Sequence, residues 1–245
     1  MSSATDDRPT LTVIQHGPDV PLGRFENWLD GVDLRVVEAW TGAAVPSIEE
    51  AGAGVLVLGG RMSAYDDAVA PWLPATRRLM ADAVERDVPV LGICLGHQLL
   101  AAATGGLVEV APPPGEEAGV IRVTWRDEAA ADPVLGAAVR AGAEGGGTAV
   151  AVLQPSMHAD AVVTLPPGAT WLAYAETYPF QAFRLGSALG VQFHPEASPD
   201  LLGAWLRERD GDDADALVAA ARASDGHVVA VGRAVAQAFA AVVRA

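Results

Sequence analysis

The sequence predicts an α/β fold: three layers, a mostly parallel central sheet with helices on both faces, and extra antiparallel strands. Three observations carry this. Short apolar strand-like runs alternate with helical patterns through the first hundred or so residues. The links between them are short, which suits strands lying parallel between two helical covers. A cluster of further short strand-like runs then fills the middle of the chain. The 245 residues, 51% of them hydrophobic, suffice for one large α/β core.

Residues 10–14 read as the first strand. Leu22, Phe25, Trp28 and Leu29 then recur at helical spacing. Residues 34–37 and 54–58 are the second and third strands, the latter ending in Gly59-Gly60. Residues 71–86 form a helical pattern with Pro71 near its start and Leu79, Met80 and Val84 on one face. Residues 88–93 are a fourth strand, followed by a helix over 96–104. The middle runs lie at 107–108, 120–125, 149–153, 161–165, 171–174, 181–184 and 189–193. Loops such as 111–115 and Gly145-Gly146-Gly147 separate them. Ser198-Pro199-Asp200 opens a helix carrying Leu201, Leu202, Trp205 and Leu206. Residues 10–209 thus form one domain. From Asp210 onward the chain reads as a helical extension, 210–245, in two helices broken at Asp225-Gly226. Val228, Val231, Val235, Phe239 and Val242 make an apolar stripe there, packed on the domain or used at an interface such as a homodimer.

Composition narrows the partners. A net charge of −15 argues against nucleic acid, whose phosphates need basic patches. No apolar run approaches the roughly 20 residues of a membrane span, and the start lacks a signal-peptide pattern, so a cytoplasmic protein with no membrane contact is expected. All basic residues are arginine. Without lysine there is no Walker A loop and no Schiff base. One cysteine makes neither an intrachain disulfide nor a thiolate cluster, and no metal or cofactor is expected.

That cysteine, Cys94, stands in Gly92-Ile93-Cys94-Leu95-Gly96-His97-Gln98, between an apolar strand and a helix start. A Gly-x-Cys-x-Gly turn exposes the thiol to the positive end of the helix, which favours thiolate. Of the five histidines, His194 follows a strand-like run and precedes Pro195-Glu196. A carboxylate two residues on fixes an imidazole's tautomer and favours its protonated form. His97 reads as support for the turn, His16 as a loop residue and His227 as a surface residue at a helix start. Glu116 and Glu117 fall in a loop.

Together, the Cys94 turn, Gln192-Phe193-His194-Pro195-Glu196 and Leu58-Gly59-Gly60-Arg61-Met62-Ser63 resemble the class I glutamine amidotransferases, from about residue 10 to 206. The match is closest to stand-alone members similar to the amidotransferase domain of GMP synthase. The resemblance implies a flavodoxin-like sheet and a glutaminase. Cys94 would form a γ-glutamyl thioester, His194 would act as base and acid, and Glu196 would orient His194. The backbone amides of Gly60 and Leu95 would form the oxyanion hole. Gly59, Gln98, Met157 and His158 would bind the substrate, glutamine. Glutamate and ammonia would result, the latter for a separate synthetase or acceptor subunit. Two alternatives stand beside this: a γ-glutamyl hydrolase or transferase, and a non-catalytic regulatory subunit. Arg61 replaces the family's usual proline, where it would alter the loop or face the substrate carboxylate. Met157-His158-Ala159-Asp160 lacks the usual tryptophan and glycine.

Overall fold

Alternate residues of the central strands enter two different cores. Leu56, Leu91 and Ile93 join one, and Val55, Val57 and Val90 join the other, all of them fully buried. Such strands need cover on both faces. The computed structural model describes residues 8–144, 151–209 and 212–245. The polar start, the triple-glycine loop, residues 149–150 and Asp210-Gly211 lie outside the described residues.

The strands are β1 (Thr10–Gln15), β2 (Asp33–Glu38), β3 (Gly54–Val57), β4 (Val90–Ile93), β5 (Leu107–Glu109), β6 (Glu117–Trp125), β7 (Ala151–His158), β8 (Ala161–Thr164), β9 (Thr170–Tyr174), β10 (Ala182–Leu185) and β11 (Ala188–Val191). The α-helices are α1 (Leu73–Glu85), α2 (Leu95–Ala103), α3 (Leu135–Glu144), α4 (Pro199–Glu208) and α5 (Ala214–Val243). Nine strands form one sheet in the order β2-β1-β3-β4-β11-β10-β9-β6-β7, while β5 and β8 pair separately. The half from β2 to β11 is parallel, and the half from β11 to β7 is antiparallel. Because β3, β4 and β11 are parallel neighbours, their carboxyl ends emerge side by side: Val57 pairs with Gly92, and Ile93 with Val191.

α1 and α2 cover one face through Leu73, Leu79, Met80, Leu99 and Leu100. α3 and α5 cover the other through Leu135, Ala138, Val231, Val235 and Phe239. A third cluster joins Val20 to α4 and the start of α5 through Leu202, Trp205, Leu206 and Val218.

Three sequence expectations change and one helix is added. Residues 22–29 hold only a 3-10 turn, Gly23–Asn27, because Gly23 has φ +54 and an added Cβ there would lie 2.6 Å from the Glu196 carbonyl oxygen. α3 was hidden by its Ala/Gly-rich sequence. It starts where Asp132 Oδ1 accepts from the Val134 and Leu135 amides at 2.9 and 2.8 Å. The expected break at Asp225-Gly226 does not occur, and α5 runs unbroken through it. A mid-helix glycine costs about 1 kcal/mol. Burying Val228, Val231, Val235 and Phe239 outweighs this at roughly 1.5–3 kcal/mol each. β7 extends to His158, making Met157 and His158 strand residues; Pro155 is tolerated because β7 is an edge strand.

By length and composition α5 could cross a bilayer, so the expectation that nothing in the chain is apolar enough does not hold for it. Its apolar stripe faces the sheet and α3 within the same chain.

Candidate active site

β4 passes into α2 with a single residue between them, Cys94, at φ 52 and ψ −104. A non-glycine residue held at such a positive φ costs on the order of 1–3 kcal/mol. Glycines make the turn sterically feasible. A Cβ at Gly92 would lie 2.5 Å from the Gly96 carbonyl oxygen, and one at Gly96 would lie 2.2 Å from that of Val57. The Cys94 amide donates to the Val191 carbonyl at 2.9 Å, tying the elbow to β11. Leu95 opens α2, so its amide has no acceptor within the helix.

β11 delivers His194 beside this thiol. The antiparallel half of the sheet folds back to the same place: the His194 amide donates to the Pro155 carbonyl of β7 at 2.8 Å. His194 Nδ1 lies 2.7 Å from Glu196 Oε1, with both side chains buried. Burial alone would push the imidazole down. The Glu196 carboxylate and Cys94, which also hydrogen-bonds the ring, outweigh burial and raise it to about 10. The ring therefore carries its proton at neutral pH. Trp205 of α4 packs on it, with centroids 4.6 Å apart.

A cleft of about 390 Å³ opens over these groups; Gly60, Cys94, Gln98, Met157, His158 and His194 are among its walls. Gly59 sits behind the wall instead. A Cβ there would lie 3.0 Å from His194 Cε1 and 3.6 Å from Cys94 Cβ. Gly60 abuts the Leu95 side chain: a Cβ added at Gly60 would lie 2.7 Å from Leu95 Cδ2. The Met157 carbonyl oxygen is 3.8 Å from Cys94 Sγ. Gln98 Nε2 donates to the Asp160 carbonyl at 2.8 Å and to Gln192 Oε1 at 3.2 Å.

His158 is held at both nitrogens, by the Asp160 carbonyl at 2.9 Å and by Glu117 Oε2 at 3.1 Å. Gln181 Nε2 and Ser156 Oγ also donate to that carboxylate oxygen. Glu117 is thus a buried β6 residue rather than a loop one, whereas Glu116 is on the cleft rim, paired with Arg209 at 3.0 Å.

The remaining histidines take other places. His97 is fully buried against Phe183, and burial lowers it to about 3. His16 sits in the loop after β1, as expected, and is buried too. Burial likewise lowers it to about 3, and Trp72 Nε1 donates to its Nδ1 at 2.9 Å. His227 lies inside α5, half-buried, rather than at a helix start. Arg61 stays on the cleft wall and pairs there with Asp19 and with Glu208. Sequence reasoning missed Trp205 and Asp19 as neighbours of the site. The first looked like an ordinary apolar residue of α4, and the second carried no signal. Among the described residues, no cluster of three His, Cys, Asp or Glu is placed to hold a metal ion.

Residues 31–209 match the model of the family described as glutamine amidotransferase class-I. A glutamine-hydrolyzing GMP synthase of Thermomicrobium roseum is 34% identical over 153 residues, which cover 62% of this chain and 25% of that protein. A subunit of the glutamine-hydrolyzing GMP synthase of Ignicoccus hospitalis is 37% identical over 110 residues, covering 44% of this chain and 50% of that subunit. The matched stretch thus spans half or less of these relatives. Among solved structures, a glutamine amidotransferase from Methylobacillus flagellatus superposes with a TM-score of 0.77 at 27% identity, over 95% of this chain and 93% of that one. One from Thermotoga maritima gives a TM-score of 0.80 at 24% identity, over 95% and 98%, and shares the fold. With Gly60, Cys94 and His194 all inside the matched residues, the chain belongs to the class I glutamine amidotransferase family.

Proposed function

We propose that this protein hydrolyses the side-chain amide of glutamine through a γ-glutamyl thioester on Cys94. One observation supports this above the rest: a thiol on a strained elbow faces an imidazole whose other nitrogen is fixed by a buried carboxylate. The Cys94 sulfur attacks the amide carbon. The carbonyl oxygen becomes an oxyanion next to the Gly60 and Leu95 amides, where one donor is worth about 10²–10³ in kcat. Protonated His194 gives its proton to the departing nitrogen, which leaves as ammonia. Water then attacks the thioester, His194 takes its proton, and glutamate leaves with Cys94 restored. Glu196 keeps the ring in one tautomer throughout. Gln98, the Met157 carbonyl and His158 line the space for the amino-acid end.

Residues 10–209 would be the catalytic domain and 210–245 a helical extension to it. Ammonia would pass to a synthetase on a separate subunit, and the protein would work in the cytoplasm. The test is glutamate release from glutamine by the purified chain, alone and with a candidate synthetase. Release that disappears in Cys94→Ala is expected, as is labelling of Cys94 by a glutamine-mimicking electrophile. Neither release nor labelling under either condition would overturn the proposal.

A further inference from the structure

Arg61 follows Gly60 directly and, among the described residues, is the one arginine lining the cleft. Its guanidinium Nε pairs with Asp19 Oδ2, and its Nη2 pairs with Glu208 Oε2. Both partners lead back to the site. Glu208 is the last residue of α4, three residues beyond Trp205 and so on the same helix face. Trp205 packs on the His194 ring and donates its indole N–H to the Asp19 carbonyl at 2.7 Å. One helix therefore touches the His194 ring at Trp205 and, through Arg61, the Gly60 loop at Glu208. Asp19 joins the two contacts from the side, through its carbonyl and its carboxylate.

We infer that Arg61 is a positioning residue: a two-carboxylate clasp that fixes the Gly60 loop to α4, and so to His194, independently of any partner protein. This rests on the proposed glutaminase reading for its kinetic consequence, but not for the clasp itself. Proline would stiffen such a loop covalently, whereas Arg61 holds it by charge. The side chains of Arg61 and Glu208 are about half exposed, at 51% and 54%, and that of Asp19 is 31% exposed. Exposed pairs are individually weak and screened by salt, because the Debye length falls from about 10 Å at 0.1 M to about 3 Å at 1 M. A clasp of this kind makes loop order depend on ionic strength.

Two readouts test it. Hydrogen–deuterium exchange on the intact protein reports the loop directly. Arg61→Gln and Glu208→Gln should each speed exchange of the 59–63 amides at least about threefold, and so should 1 M salt on the wild type; exchange in β4 should not change. In turnover, Arg61→Gln should lower kcat about three- to tenfold, with KM moved less than about twofold, since only transition-state contacts at Gly60 change. Wild-type kcat should fall with salt while that of Arg61→Gln stays flat. The double variant should be no slower than Arg61→Gln alone. Arg61→Lys, which retains the charge but not the two-armed geometry, should recover part of the loss. Unchanged loop exchange in Arg61→Gln, or altered exchange with kcat and its salt dependence intact, overturns the inference. A wild type that turns over no glutamine sinks the glutaminase reading alone, and the exchange arm still decides the clasp.

Discussion

Replacing Glu196 by Gln should move the upper pH limit of activity. In the wild type His194 must be protonated to release ammonia, and the ring loses its proton only near pH 10. Turnover should therefore hold up to high pH and fall as pH rises through about 10. The Gln side chain retains a hydrogen-bonding oxygen 2.7 Å from Nδ1 but removes the charge. A hydrogen bond to a charged group is worth about 1.5–3 kcal/mol, and 1.36 kcal/mol corresponds to one pH unit. The limb should drop by about one to two units, to about 8–9, with burial continuing to push the ring down. At pH 9.5 this alone lowers the rate by on the order of tenfold relative to pH 7. Poorer ring orientation should also lower the plateau, by about 10². Initial rates of glutamate release from pH 6 to 10.5 would show both effects. A limb that stays near 10 in Glu196→Gln, or a wild-type limb near 6.5, would refute the assignment of the charge to this pair.

Three further outcomes follow from the geometry. Gly60→Ala would place a methyl 2.7 Å from Leu95 Cδ2 and 2.8 Å from Met62 Sδ, both ends of flexible side chains. The loop should shift slightly, costing up to about 10²–10³ in kcat with little change in Tm; unaltered kcat would rule out that amide as an oxyanion donor. Cys94→Gly should be inactive yet melt about 2–4 °C higher, since relief of the φ 52 strain is worth about 1 kcal/mol; a lower Tm in a thermal scan would mean the elbow stores no strain. Asp132→Ala removes the acceptor at the start of α3 and the partner of Arg184, whose Nε and Nη2 both donate to it at 2.8 Å. It should lower stability by about 2–4 kcal/mol in urea unfolding, and a change below about 1 kcal/mol would contradict the bidentate pairing.

The catalytic candidates were legible because their signals are local. Cys94 between Gly92 and Gly96, and Glu196 two residues from His194, need only short-range geometry. The parallel half of the sheet was legible for the same reason, since β3 and β4 are apolar enough to demand cover on both faces. α3 was not, because Leu135-Gly136-Ala137-Ala138 has too few large side chains to show a helical period. Nor was the continuity of α5, where Gly226 looked like a stop but the buried residues on either side decide the outcome. Glu117, His16 and Trp205 owe their places to tertiary contacts. Charge alone gave no sign that Glu117 would be buried beneath His158, nor that Arg61 would find Asp19 and Glu208.

The side-by-side emergence of β4 and β11 also has a consequence during synthesis. The thiol leaves the ribosome long before its imidazole, and the two meet only when β11 docks between β4 and β10. Pairing between segments so far apart is slow to form. Until then Cys94 has neither its elbow, which is tied to Val191, nor a base. A growing or truncated chain that stops before β11 should thus be chemically silent, and the reactive cysteine would arise only in molecules that have completed the sheet.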